Sequence, residues 1–434
     1  MGQYDEIMKR TEGFRKDRFG LFVHWGLYSV AARHEWIKNK ERLTDEQYQR
    51  YFDSFTAELY NPKEWAKLAK KAGMKYAILG TKHHEGFCLF DSKYTDYKAT
   101  NTPAGRDLVK EFVEAFRAEG LKVGFYYSLL DWHHPDYPHC GDTHHPQRDN
   151  PDYPDDNRDF SRYLEYMHNQ VRELCTNYGK IDIMWFDFSY DDMSGEKWEA
   201  TKLVNMIRSL QPDVIIDNRL MGGGHTMGKD FDYDKMPSYC GDFVSPEQFT
   251  PAEGILDSKG RPLPWEACIT SQQESWGYVE GNDSFMSARE VIYMLVDCVS
   301  KNGNLLLNIG PTAKGEFPKQ AVELLEEVGE WMKHNGESIY GCTGAGLPQP
   351  EWGRLTAKDG VIYAHFFDKS GYCLTVNGLD TERVDYALFV EDYAECKVGE
   401  FWNTAALGKN IAVPFKKAKM KNELDTVIKF VLKK

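Results

Sequence analysis

Several apolar runs in this 434-residue chain end in residues that bind hydroxyls or move protons. The run 19–25 ends at His24-Trp25, and 75–82 leads into His83-His84-Glu85. The run 121–128 ends at Tyr126-Tyr127-Ser128 and continues to Asp131-Trp132. The run 181–187 closes on Trp185-Phe186-Asp187, and 213–217 leads into Asn218-Arg219. Consecutive ends carrying His, Tyr, Asp and Arg among indoles describe a polar pocket with aromatic walls. A pyranose suits it, offering hydroxyls to His, Arg, Glu and Tyr and an apolar face to an indole. Glycoside hydrolysis then needs two carboxyl groups beside the scissile bond. Asp187, directly after IDIMWF, is the candidate nucleophile. Its partner stays open among Glu35, Glu85, Asp131, Asp242, Glu247 and Glu266, all in or near loops that follow strands. Glu247 falls in SPEQFTP, within a long segment 220–264 that reads as a lid or rim.

Other chemistries fit less well. His83-His84 and the run HHPDYPHCGDTHHP (133–146) offer nitrogen ligands, but no HExxH or HxH pattern is present, so no metal or other cofactor is expected. GNLLLNIGPTAKG lacks the GK[ST] of a phosphate loop. A formal net charge of −14 argues against nucleic-acid binding. No apolar stretch approaches the ~20 residues that span a bilayer, so no membrane association is expected. The N-terminus shows no apolar signal-peptide segment, and nine scattered cysteines without a CxxC pair suit a reducing compartment, so the expected location is cytoplasmic.

The elements that must position these residues alternate. Helical patterns at 62–73, 106–120, 157–179, 196–210, 287–303 and 319–336 separate the strand-like runs, which continue with 265–270 and 304–309. Near-continuous apolar strands, each followed by a helix, indicate a parallel sheet covered on its outer face. About seven such units predict an α/β fold, a (β/α)8-like barrel over 1–340, in which chemistry gathers at the C-terminal strand ends. An eighth strand is not legible. From 345 to 434 the pattern changes to short runs (360–368, 371–379, 383–390, 394–402, 425–433) separated by turns, which predicts an antiparallel β-sandwich.

The ordered set HWG (24–26), EW (35–36), KHHEGF (82–87), FYYS with DW (125–132), MWFD (184–187), NR (218–219), GDF…PEQ (241–248), SWGY (275–278) and GNLLLNIGP (303–311) resembles the α-L-fucosidases of glycoside hydrolase family 29. The resemblance covers about 10–340, and the β-sandwich fits it. It implies a retaining exo-glycosidase without a metal, taking terminal fucose from oligosaccharides or glycoconjugates. By position it makes Asp187 the nucleophile. It assigns His24, Glu35, Trp36, His83, His84, Tyr126 and Arg219 to the fucose hydroxyls, and Trp276 to the methyl-bearing side. The family's acid/base loop varies, so the resemblance does not place that residue; Glu247 is taken as the general acid/base, and the PEQ loop around it resembles the family's broad-specificity branch. One departure is Phe188, where many relatives place glycine after the nucleophile. Rival readings are an exo-glycosidase for a related sugar such as an α-L-galactoside, and a non-catalytic carbohydrate-binding barrel.

Overall fold

The computed structural model describes residues 2–139, 143–153, 157–222, 228–368, 373–400, 410–414 and 421–434. Seven strands build one parallel sheet: β1 (Phe19–Val23), β2 (Tyr76–Lys82), β3 (Lys122–Ser128), β4 (Ile183–Asp187), β5 (Ile215–Ile216), β6 (Glu266–Thr270) and β7 (Asn304–Ile309). Their order is β5-β4-β3-β2-β1-β7-β6. Almost every residue of these strands is buried, because helices cover one face and side chains fill the other.

The missing eighth position is occupied by 243–247. This stretch bridges both sheet edges in parallel: Phe243 pairs with Asp217 after β5, Val244 with Trp265 and Glu247 with Cys268 of β6. Gly241 permits the approach. It sits at φ +85°, and a Cβ there would lie 2.3 Å from the Asp217 carbonyl oxygen. Glu247 therefore stands on a barrel stave, which corrects the expectation of a lid or rim loop. The interior is filled by Phe22, Ile78, Tyr126, Trp185, Phe243 and Leu306. Phe14 plugs the N-terminal end, against Tyr76 and Phe243.

The outer helices match the sequence pattern with shorter ends: Pro62–Lys71, Leu108–Ala118, Phe160–Asn177, Ala200–Leu210, Ala288–Ser300 and Lys319–Asn335. Their starts have local causes. Pro62 occupies the first turn, the Asp107 side chain accepts from the Lys110 amide, and Ser287 with Glu290 forms a capping box. Helices Gln3–Arg10, Glu12–Asp17 and Asp45–Asp53 are additional to the sequence reading. Among the described residues no helix is long and apolar enough to cross a membrane.

The C-terminal part is antiparallel: β8 (Thr343–Gly344), β9 (Gly353–Lys358), β10 (Val361–Phe366), β11 (Cys373–Asp380), β12 (Val384–Phe389), β13 (Gly399–Glu400), β14 (Asn410–Pro414) and β15 (Thr426–Leu432). They form sheets ordered β12-β15-β10-β9-β8 and β11-β14-β13. Leu355, Ile362 and Ile428 of one sheet share a core with Leu374, Val376 and Ile411 of the other. Strands β8, β9 and β14 are additional to the sequence reading. Of the run expected over 394–402, Phe401 and Trp402 lie outside the described residues, as do Ser370, Gly371 and Tyr372 at the start of the 371–379 run and just before it. The β-sheets meet the barrel at a buried pair: His365 Nδ1 lies 2.7 Å from Asp425 Oδ2, and Trp331 Nε1 donates to the Asp425 carbonyl at 3.3 Å.

Candidate active site

A cleft of 790 Å³ opens at the C-terminal strand ends, and every residue singled out from the sequence as a site residue except Arg219 lines it. Arg219 lies just beneath, 5% exposed, with its guanidinium 4.7 Å over the Trp185 ring. It donates from Nη1 to Asp187 Oδ1 at 3.1 Å and from Nη2 to Glu247 Oε2 at 2.9 Å. One cation thus holds both carboxyl groups. Arg219 is itself fixed by Ser245, through Nε to the hydroxyl at 2.9 Å and Nη2 to the carbonyl at 3.1 Å. Ser245 is tied to β5 because its amide donates to Asn218 Oδ1 at 3.1 Å.

Asp187 ends β4 opposite Ser128 of β3. Its Oδ2 accepts from the Tyr126 hydroxyl at 2.8 Å and lies 3.8 Å from His84 Nε2. Burial raises its pKa to about 6; Arg219 and the Tyr126 hydrogen bond oppose the rise, while the Glu247 charge adds to it. Desolvation and the neighbouring Asp187 charge push the Tyr126 hydroxyl well above its ordinary range, so it remains a donor.

The histidines are neutral, and their hydrogen bonds set their tautomers. Ser128 gives its only proton to the Leu130 carbonyl at 2.9 Å, so it accepts from His84 Nδ1 at 2.6 Å. Asn308 Nδ2 donates to the Trp276 carbonyl at 2.7 Å, which turns its Oδ1 towards His24 Nδ1 at 2.7 Å. Each ring then carries its lone pair on Nε2, an acceptor for a hydroxyl. Burial lowers the His24 pKa to about 4 and holds His83 and His84 well below the usual range. His83 stacks on Tyr126 with ring centroids 5.8 Å apart. Glu35 Oε2 accepts from the Ser275 hydroxyl at 2.6 Å and the Trp276 amide at 3.0 Å. Trp276 lies 5.1 Å from the His24 ring, and Trp36 lies 5.1 Å from His84.

The remaining carboxylate candidates serve the scaffold. Glu85 is buried, accepts from the Leu27 amide at 2.9 Å and from the Tyr48 hydroxyl, and is pushed up to about 7 by desolvation. Asp131 pairs with the buried Lys82 at 2.9 Å. Asp242 binds Arg10 and Arg208 and accepts from the Ile216 amide at 2.8 Å. Glu266 accepts from Tyr76 inside the barrel. In the run 133–146, His133 stacks on Tyr97 at 3.8 Å and His134 packs on Tyr166 at 4.4 Å, while Cys140 lies outside the described residues. Among the described residues no group of three or more His, Cys, Asp or Glu could hold a metal ion. The sequence reading assigned no role to Ser245, Ser275 or Asn308. Asn308 left a signal as a polar residue inside the apolar run NLLLNI, and Ser245 and Ser275 open the segments SPEQFTP and SWGY.

Two carboxyl groups bridged by one guanidinium, at the catalytic end of a parallel barrel and among hydroxyl acceptors and indoles, define a glycoside hydrolase. The comparisons narrow the class. The family model described as alpha-L-fucosidase matches residues 3–337. Alpha-L-fucosidase isoenzyme 1 from Paenibacillus thiaminolyticus is 53% identical, with a TM-score of 0.93 over 99% of this chain and 100% of that one. A glycoside hydrolase family 29 α-L-fucosidase from Bacteroides thetaiotaomicron is 30% identical, with a TM-score of 0.83 over 98% and 96%; its structure holds a trapped covalent intermediate with 2-fluoro-fucosyl fluoride. The human plasma alpha-L-fucosidase is 30% identical over 349 residues, 75% of this chain and 68% of that protein. The chain belongs to the α-L-fucosidase family, glycoside hydrolase family 29, and acts on fucose-containing substrates by a retaining mechanism.

Proposed function

We propose that Asp187 is the nucleophile and Glu247 the general acid/base, releasing terminal α-L-fucosyl residues from oligosaccharides or glycoconjugates. The observation that carries this reading is the Arg219 guanidinium bonded to both carboxyl groups within the cleft. In the first step Asp187 attacks the anomeric carbon while Glu247 protonates the leaving oxygen. Arg219 and the Tyr126 hydroxyl orient Asp187 for in-line attack. As Asp187 becomes an ester it loses its charge, and the repulsion between the two carboxylates disappears. Glu247 must then act as a carboxylate base and take a proton from water. His24, His83, His84, Glu35, Trp36 and Arg219 hold the sugar hydroxyls, the neutral imidazoles of His24 and His84 accepting from them, and Trp276 offers its face to the methyl-bearing side.

We further assign 1–340 to the catalytic barrel and 345–434 to a β-sandwich appendage. A separate hydrophobic cluster confined to the C-terminal sheets supports that division, while Tyr363, Phe367, Val390 and Val427 pack into the cluster of the barrel and its helices and dock the appendage on it. The buried free thiols of Cys88, Cys175, Cys240, Cys268, Cys298, Cys342 and Cys396 support a reducing, cytoplasmic setting.

The test is Glu247→Ala on an activated aryl α-L-fucoside and on a fucosylated oligosaccharide, each with and without azide. Loss of the acid costs about 10²–10⁴-fold where the leaving group needs a proton, and less on the aryl substrate. Azide needs no base, so it restores turnover and yields the α-fucosyl azide, the anomer that two inversions produce. Equal losses on both substrates with no rescue would remove Glu247 from this role.

A further inference from the structure

In-line displacement puts the departing oxygen on the side of the anomeric carbon away from Asp187, where Glu247 stands to protonate it. Asp187 ends β4, and β5 and the stave 243–247 lie between it and β6. Glu247 is also the more open of the two, its side chain 35% exposed against 13% for Asp187. The hydroxyl-holding residues His24, Glu35, Trp36, His83, His84 and Tyr126 come from β1, β2, β3 and the loops after them. The cleft lining beyond Glu247 contains none of these. Gln248 follows the acid at φ +61°, in the left-handed region that a side chain occupies at a cost. Its amide donates to the Cys268 carbonyl at 2.9 Å, its Nε2 donates to Thr270 Oγ1 at 3.3 Å, and its Oε1 accepts from the Thr270 amide at 3.3 Å. The side chain is thereby laid across the end of β6. From there the Met286 amide donates to the Ser271 carbonyl at 2.9 Å, and Met286, Glu290 and Met294 follow at four-residue intervals into helix Ala288–Ser300. All of them line the cleft.

We infer that Met286 and Met294, with Gln248 and Glu290 at their polar edge, form the subsite that receives the apolar face of the leaving group, an aryl ring or the C–H face of a sugar, and so set leaving-group preference. This rests on Asp187 as nucleophile and Glu247 as acid, since that pair fixes the side on which the leaving group departs. Thioethers suit the task. Met is unbranched and polarisable and follows partners of different shape, and a sulfur on an aromatic ring contributes roughly 2–10-fold in affinity. The Gln248 amide and the Glu290 carboxylate offer partners to the hydroxyls of a leaving sugar.

The experiment measures kcat/KM for wild type, Met286→Ala, Met294→Ala and Met294→Leu. The substrates are α-L-fucosyl fluoride, 4-nitrophenyl α-L-fucoside and a fucosylated disaccharide. Fluoride departs without a proton and has no body to meet the thioethers; the other two leaving groups do. The expected result for either alanine variant is a roughly 2–10-fold loss on the two larger substrates, with the fluoride within about 2-fold of wild type. Met294→Leu keeps apolar volume in the same place and should retain the wild-type ratio between substrates. Met286 is 8% exposed and belongs to the core. Should its alanine variant fail to fold by circular dichroism, the partly buried Met294 carries the same comparison. Losses of similar size on all three substrates would make the methionines mere supports for the cleft, and unchanged kcat/KM on the larger substrates would leave the subsite without a role; either overturns the inference. Glu247→Ala on the same substrates tests the basis separately. Its kcat/KM on the fluoride should be largely kept while that on the disaccharide falls about 10²–10⁴-fold, and equal losses would overturn the acid assignment instead.

Discussion

Replacing Asp187 with Asn is expected to abolish turnover and, at neutral pH, to make the folded protein more stable. Burial lifts this carboxyl from 3.8 to about 6, because water is excluded and Glu247 adds its own charge. A folded-state pKa above the unfolded one contributes stability that is complete below about 3.8 and is lost as pH rises through about 6. The wild type therefore carries a penalty above that range. A shift of about two units corresponds to roughly 3 kcal/mol. Asn is nearly isosteric and never ionises, so it escapes the penalty. Arg219 keeps Glu247 and Ser245 as partners in the variant. For 434 residues the unfolding entropy is about 0.9 kcal/mol/K, so the variant should melt up to about 3 °C higher. Thermal unfolding of both proteins from pH 4 to pH 8 tests this. The difference should be close to zero near pH 4 and reach its full value above pH 7. A variant less stable than wild type at pH 7.5, or a difference independent of pH, would refute the reasoning.

The same carboxyl sets the acid limb of activity: Asp187 must be ionised to attack, so kcat/KM on aryl fucoside should fall tenfold per pH unit below about 6. Glu266, buried beside Tyr76, is pushed up to about 8 by desolvation and carries its proton at pH 7. Glu266→Gln should match wild-type stability in urea near pH 4 and exceed it by a margin that grows as pH rises through about 8, because the unfolded wild type ionises long before the folded one does; a difference independent of pH would contradict a raised Glu266. EDTA should leave turnover unchanged, because His24 and His84 each spend Nδ1 on Asn308 and Ser128 and no described cluster offers three ligands; loss of activity restored by zinc would count against this.

Much of the molecule was readable from local pattern. Period-3.6 stretches with a proline, capping residue or glycine at their ends became helices, because caps and amphipathic faces are local properties. Near-continuous apolar runs became buried parallel strands, and the rule that a barrel's chemistry lies at its C-terminal ends placed His24, His83, His84, Tyr126, Asp187 and Arg219 near one another. The strands β9 and β14 were harder to read, since GRLTAK and NIAVP lack a long apolar signal. The additional N-terminal helices are short and owe their stability to packing more than to their own periodicity.

Tertiary structure decided the rest. The stave 243–247 carries no continuous ladder; it is held by single bridges to two edges far apart in sequence, with Gly241 making room beside Asp217. Nothing local in SPEQFTP marks it as a strand, so Glu247 read as a loop residue until both edges were present. Choosing among six carboxylates also required partners from distant segments: Tyr48 for Glu85, Lys82 for Asp131, Arg10 and Arg208 for Asp242, Tyr76 for Glu266. The tautomers of His24 and His84 depend on whether Asn308 and Ser128 can donate or accept, which is a fact about space. Residue type and strand position determined which side chains could act here. Which of them share a cation, lose their water or keep a proton was decided by non-local contact, because desolvation and Coulomb interactions depend on distance through the fold and are indifferent to distance along the chain.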